Sequence, residues 1–312
     1  MKSSVTHNPA LSSTLNKYYV DSAGFVGLTL APLFRSGEQA AFYYVFDREN
    51  FLNIPRLAAR APGTPYVRSS MKLSDATFAC KNYGSEIPVA DEERKKYAVA
   101  FDADQAAIRR NGLIILFNHE VRVKAIYDAA GVPHANAPVK WDDFANAASD
   151  PVGDVKAAKR VIQVNSGLMP NVLAMSQTVY DKLTEHPKIK GLYPFADGPL
   201  TRDQVRKAFE VDQLIIAGAV ENTAAEGQVL NPAYLWGDSV VLAVCNPAQD
   251  LQAPTAARTF LWNQIAGGAE VGSAVETYRD TSVDADIHRI KHFTDERVIG
   301  AELAYRFDDV LT

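Results

Sequence analysis

His119-Glu120 reads as the first half of the HExxH motif, in which two histidines one helical turn apart hold zinc and the glutamate acts as general base. The second histidine position is Val123, so a metal ligand is missing and the pair reads as ordinary helix-surface residues. His288, His292 and Glu296 have a spacing that could hold a metal on a helix, but Ile287 to Phe293 (IHRIKHF) reads as strand or irregular chain. The expectation there is a solvated charged surface. Asp284-Ala285-Asp286 begins like a calcium loop without the glycine and terminal glutamate in register. Cys80 with a histidine could make a nucleophile and base, yet nothing in the sequence brings such a pair together. No GxxxxGK[ST], GxGxxG or GxSxG occurs, and Gly267-Gly268 lacks the strand-to-helix setting of a phosphate cradle. The expectation is a protein with no catalytic centre, no cofactor and no metal.

The 312 residues allow one large or two modest domains, and 47% hydrophobic with 22% charged residues is a globular composition. The longest apolar runs, such as Val240 to Cys245, fall far short of the ~20 residues that span a bilayer, and no secretory signal follows Met1. Two cysteines cannot build a disulfide framework, which fits a reducing compartment and two buried or half-buried thiols. The net charge of −5 divides into +3 over residues 1–90 and −8 over 91–312. That division fits a basic arm lying on the acidic body of a neighbouring copy, and equally chance. No dense basic stripe marks a nucleic-acid binder.

Residues 1–60 read as an extended arm that needs another surface to pack on, with Ala40 to Phe46 a strand. After the stiff Ala61-Pro62-Gly63-Thr64-Pro65 turn, Tyr66 to Leu73 and Thr77 to Tyr83 read as a two-stranded hairpin turning at Ser74-Asp75. A lone hairpin is marginal in water, so it implies a partner surface. Asp91-Glu92-Glu93 opens a helix reaching about Ala130, with a kink or break at Asn111-Gly112. Thr201 caps a short helix, Leu214 to Val220 and Val240 to Cys245 read as strands, and Ala256 to Glu276 is less regular. Tyr278 to Ile290 and Arg297 to Phe307 read as returning strands.

The segment Trp141 to Ile189 has the most specific order. Ser149-Asp150-Pro151 is a helix start, with a capping oxygen ahead of a proline at the first helical position. Gly167 is a left-handed stop. Pro170-Asn171 turns into the strand Val172 to Met175, Ser176 or Thr178 caps a second helix, and Leu183-x-x-His186-Pro187 ends it. This order of Trp141, capped helix, Gly167-x-x-Pro170-Asn171 and Leu183-x-x-His186-Pro187 resembles the major capsid proteins of tailed bacteriophages, whose fold is called HK-97.

The resemblance implies an α+β chain in five parts: an N-terminal arm (1–60), an extended two-stranded loop or hairpin (61–90), a peripheral domain with a long spine helix (91–165), a central α/β axial domain (166–270), and return strands of the peripheral domain (271–312). It implies a major head protein whose partner is itself, in pentamers and hexamers of an icosahedral shell around double-stranded DNA held without sequence-specific binding. It implies a separate scaffolding protein, a portal and an optional decoration protein as further partners, and a virion assembled in the host cytoplasm with no membrane. Candidate inter-subunit contacts are Phe42, Tyr44, Tyr66, Arg68, Lys72, Lys81 and Tyr83. In some members a hairpin lysine crosslinks to a neighbour's asparagine; Lys72 and Lys81 are candidates, and ordinary salt bridges are the commoner role. An encapsulin-type compartment and a cytoplasmic α/β enzyme are the competing readings.

Overall fold

Capping chemistry sets the helix boundaries in the computed structural model, which describes residues 6–7, 24–46, 52–54, 56–57, 59–60, 62–64, 66–68, 70, 72–98, 102–129, 131–194, 198, 200–264 and 273–312. In chain order the first elements are β1 (Thr6–His7), α1 (Gly27–Leu30), β2 (Leu33–Ser36), β3 (Ala40–Phe46), β4 (Leu73–Ala79), β5 (Lys81–Ala90), α2 (Asp91–Tyr97), α3 (Ala103–Tyr127) and β6 (His134–Ala135). Then come α4 (Pro151–Ser166), β7 (Val172–Ser176), α5 (Gln177–Glu185), α6 (Pro187–Lys190), α7 (Arg202–Ala208), β8 (Gln213–Ala217), β9 (Val220–Asn222) and β10 (Pro232–Tyr234). The chain closes with β11 (Val240–Ala243), β12 (Ala257–Trp262), β13 (Ser273–Asp280), β14 (Ala285–Val298) and β15 (Ala304–Phe307).

The capped module lies where its residues place it. Asp150 accepts from the Gly153 N–H at 3.1 Å ahead of Pro151, and Gly167 closes α4 at φ +76°. Ser176 caps α5, the His186 ring accepts from Lys188 N–H at the head of α6, and Thr201 with Gln204 forms a capping box on α7.

Two sheets carry the body. The first has the order β1-β13-β14-β12-β2, and β5 also pairs with β14. The 14-residue β14 is its axis: Ala285 to His292 pair with β13 and also with β5, and Thr294 to Val298 pair with β12. The second sheet has the order β6-β15-β11-β7-β8, with β11 wholly buried at its centre. Helix α3 packs on β5 and β14 of the first sheet. There Ile108, Ile115 and Leu116 meet Val275 and Ile290. Helix α4 packs on the second sheet, and Trp141 seals its end by stacking edge-on to Phe307 and donating to Asp154 at 2.9 Å.

Several expectations are corrected. The long helix breaks before Asp102, whose carboxylate caps α3 by accepting from Asp104 and Gln105 N–H, and not at Asn111-Gly112. Asn111 is buried inside a continuous α3, where its amide donates to the Ser85 and His288 carbonyls at 2.8 and 3.1 Å. The hairpin does not turn at Ser74-Asp75. Both residues lie within β4, paired with Val45 and Tyr44 of β3, because the apolar run Ala40 to Phe46 offers the better partner strand.

The part boundaries shift for the same reason, that pairing is non-local. The two-stranded unit joins residues 40–46 to 73–79 instead of lying within 61–90, and β5 belongs to the body sheet. Residues 24–36 are core and not arm: Val26, Leu30 and Ala31 are fully buried and β2 runs parallel to β12. Strand β12 joins the first sheet, while α4 and β15 belong with the second. Tyr278 to Ile290 is interrupted by a turn at residues 281–284, and Arg297 to Phe307 by a 3-10 turn at Ala301–Leu303. Residues 8–23 of the arm, and Gly267-Gly268, lie outside the described residues.

Gly167→Ala is expected to destabilise the fold by about 1 kcal/mol, because an L side chain is strained at that positive φ. A urea midpoint equal to that of the unsubstituted protein would show that α4 ends without help from the glycine.

Candidate assembly surface

Strands β3 and β4 form a separate ribbon whose two faces differ in chemistry. Tyr43 and Phe78 turn inward and pack on Phe260, with Phe78 stacked on it at 4.3 Å between ring centroids. Cys80, just beyond the ribbon, is buried in the same cluster. Alternation sends Phe42 and Tyr44 outward, 74% and 62% exposed, opposite Thr77 and Asp75. Beyond the ribbon Leu52, Ile54, Leu57, Tyr66 and Val67 are also exposed. Seven large apolar side chains on this one excursion of the chain are thus left in water.

The seven candidate contact residues therefore divide. Phe42 and Tyr44 share the outer ribbon face, and Lys72 immediately precedes β4. Tyr66 and Arg68 lie between the ribbon strands, where Arg60 stacks over the Tyr66 ring at 4.3 Å. Lys81 and Tyr83 stand apart, in β5 of the body sheet opposite Thr294 and His292. The Tyr83 ring lies 3.8 Å beneath the Arg122 guanidinium.

The residues scanned for catalysis take structural roles. His119 and Glu120 are buried, not on a helix surface, at 2% and 0% exposure. The Glu120 carboxylate accepts from Val26 N–H (3.1 Å), Gly27 N–H (2.6 Å) and Trp236 Nε1–H (2.6 Å). Burial pushes its pKa up, against those three hydrogen bonds, which pull it down. Thr259 Oγ1 donates to the Ala31 carbonyl, so it accepts from His119 Nε2–H at 3.0 Å. Burial and the Arg122 charge hold His119 neutral, with a pKa pushed down to about 3.

His288 and His292 are likewise buried in β14 rather than solvated. His288 contacts Asp104 at 2.8 Å and Thr277 at 3.1 Å, and the His292 ring meets His119 edge-on. Glu296 is held by a fork of two bonds from Arg122, at 2.9 and 3.1 Å. Asp286 binds Arg94 (2.8 Å) and Arg279 (3.4 Å), so its oxygens are engaged by arginines. Among the described residues no group of three or more His, Cys, Asp or Glu is placed to hold a metal. Both thiols are buried, and desolvation raises each pKa to about 12, which leaves them almost without thiolate. Nothing in the sequence marked Glu120 as a junction, since its three donors come from residues far away in the chain.

A cavity of about 400 Å³ lies against the ribbon, lined mainly by apolar side chains together with Glu302.

The chain is 24% identical over 230 residues, 71% of each protein, to the major capsid protein of Burkholderia phage BcepMu. Its structure is similar to a phage-related protein of Bordetella bronchiseptica, with a TM-score of 0.71 and 21% identity over 98% of both chains. It also matches the capsid of cyanophage P-SCSP1u, with a TM-score of 0.58 and 13% identity over 92% of this chain and 89% of that one. The same fold is found in an encapsulin complex of Synechococcus elongatus. No family model matches. These likenesses define a fold class, that of capsid-type shell proteins. Within that class the chain has the HK97-like α+β fold of phage major capsid proteins.

Gly27→Ala is expected to unseat the Glu120 junction, because the added Cβ would meet Glu120 Oε2 at 2.7 Å and His119 Nδ1 at 3.1 Å. A loss of about 1–3 kcal/mol in urea unfolding is the expected range for overpacking, and no loss would show that the junction yields freely.

Acid should also act through His119. Between pH 6.5 and about 3 the unfolded chain binds a proton that folded His119 refuses, so stability falls as the pH drops. The slope approaches about 1.4 kcal/mol per pH unit where one proton separates the two states. Glu120, with its raised pKa, contributes with the opposite sign, its share growing as the pH falls. His119→Gln should flatten the fall in urea midpoint between pH 6.5 and 4, and an unchanged profile would exclude His119 as its source.

Proposed function

We propose that this chain is the major capsid protein of a tailed bacteriophage, building an icosahedral head from pentamers and hexamers. The observation that carries the reading is the ribbon with its outward Phe42 and Tyr44 and the apolar excursion beyond it, on a capsid-type fold. A monomer keeps these side chains in water, whereas a ring of copies can bury them on neighbours. Modest contacts repeated around each capsomer then add up to a stable shell, so the mechanism is physical association without bond chemistry.

The finer parts of the reading follow from that role. Double-stranded DNA fills the shell without sequence-specific contacts. The acidic balance of residues 91–312 suits a wall that confines phosphate without gripping it. A scaffolding protein and a portal act during assembly in the host cytoplasm, a decoration protein is an optional addition, and the finished location is the virion. Phe42, Tyr44, Tyr66, Arg68 and Lys72 are the contact residues we assign to the ribbon and its loop. Lys81 and Tyr83 contribute from the body sheet. The likeness to a phage major capsid protein favours this reading over a cargo-enclosing compartment.

Electron microscopy of the protein expressed alone and beside its genomic neighbours tests the proposal. Closed shells or five- and six-membered rings are expected, with DNA in shells recovered from phage and none of the enzyme cargo of a compartment. Discrete monomers or dimers under both conditions would overturn it.

Phe42→Ser with Tyr44→Ser should leave thermal unfolding within a few degrees of the parent while shells are lost, since both side chains already face water. Shells in normal yield would remove the ribbon face from the assembly surface. Deleting residues 1–23 should weaken assembly and spare the fold, whereas deleting 1–30 also removes buried Val26 and Leu30 and should unfold the subunit. Equal circular dichroism melts for the two truncations would show that residues 24–30 are dispensable to the core.

A further inference from the structure

The cavity against the ribbon has a composition suited to one kind of guest. Its walls include Val45, Leu168, Leu251, Pro254 and Ile299, and among the described lining residues Glu302 is the one acid and there is no lysine or arginine. Beside it in the chain, Val164 and Met169 are exposed, so the apolar character does not stop at its edge. Such a site fits an apolar side chain accompanied by a cation.

The loop carried by the ribbon supplies both. Between Glu49 and Asp75 the chain has no acidic residue and four basic ones, Arg56, Arg60, Arg68 and Lys72. Ile54 and Tyr66 each stand two residues before an arginine, which in extended chain places the apolar group and the guanidinium on one side. In its own copy Ile54, Leu57, Tyr66 and Val67 are exposed, so none of these four fills the cavity from within.

We infer that the cavity is the socket for the loop of a neighbouring copy, in which an apolar side chain from residues 52–68 enters and its flanking arginine pairs with Glu302. The inference rests on the shell reading and names the acceptor surface within it. The stem of the ribbon forms one wall of the socket through Tyr44 and Val45, so each copy would receive one loop beside the root of the loop it gives.

Full-length protein assembled into shells supplies the test, because Cys80 and Cys245 are buried and a new disulfide reports an introduced pair. Gln252→Cys, on the lining, is combined with Val67→Cys or separately with Ile54→Cys, and the shells are oxidised with copper phenanthroline. Disulfide-linked dimers and higher ladders on a non-reducing gel are expected for at least one pair. Glu302→Arg should cut the yield of sedimenting shells about tenfold, as the lost contact recurs around every capsomer, and Arg56→Glu or Arg68→Glu should restore it. Shells with only monomer bands would overturn the socket and leave the shell reading standing. Cross-linking to Ser13→Cys in the arm instead would give the cavity to another segment and also overturn it. Failure of the unsubstituted protein to form shells under any condition would overturn both.

Discussion

The Glu120 carboxylate is the constraint on which the subunit depends. A buried carboxyl group is tolerated only when its oxygens are satisfied, and these three donors come from the start of α1, its preceding residue and the indole of Trp236. One side chain of α3 therefore fixes the entry of the N-terminal segment, the position of the long helix and the loop leading to β11. Gly27 is required there because the backbone must approach the carboxylate more closely than a Cβ permits. The neighbouring His119 continues the connection to β12 through Thr259, and Arg122 to β14 through Glu296.

Beside this junction the first sheet seats the ribbon. Strand β14 anchors β5, β13 and β12, while the inward face of the ribbon lies on Phe260 of β12. The ribbon is thus seated on one side by aromatic packing and left apolar on the other. An ion network of Arg94 and Arg279 with Asp91, Asp104 and Asp286 ties the head of α3 to the β13–β14 hairpin. Exposed single pairs of this kind are worth little. Their value here is geometric, since the arginines bridge four elements, α2, α3, β13 and β14.

Local chemistry was legible in the chain, and long-range pairing was not. Asp150, Gly167, Ser176 and Thr201 each act on backbone groups a few residues away, so their roles could be read one by one. The ribbon partner of Leu73–Ala79 lies beyond residues 47–72, and a reading that favours the nearest strand pairs it wrongly. Asn111-Gly112 looked like a helix break because both residues are poor helix formers. What outweighs that tendency is tertiary: the Asn111 amide meets two carbonyls on β5 and β14 that no local window contains. Glu120 and the buried histidines escaped for the same reason, while the overall class was visible because the order of caps in residues 141–189 is itself local.

The long-range pairing of β2 with β12, parallel, and of β5 with β14, antiparallel, bears on how the polypeptide reaches its native state. Residues 33–36 await a partner at 259–262, and residues 81–90 await one at 285–294. Closing such separations costs loop entropy before any contact rewards it, and topologies of this kind fold slowly. A ribosome must therefore release most of the chain before the first sheet can form. Until then the ribbon has no Phe260 to rest on, and the apolar excursion cannot be presented in register. The topology itself thus delays the display of the outward ribbon face until the strands near the end of the sequence have been made.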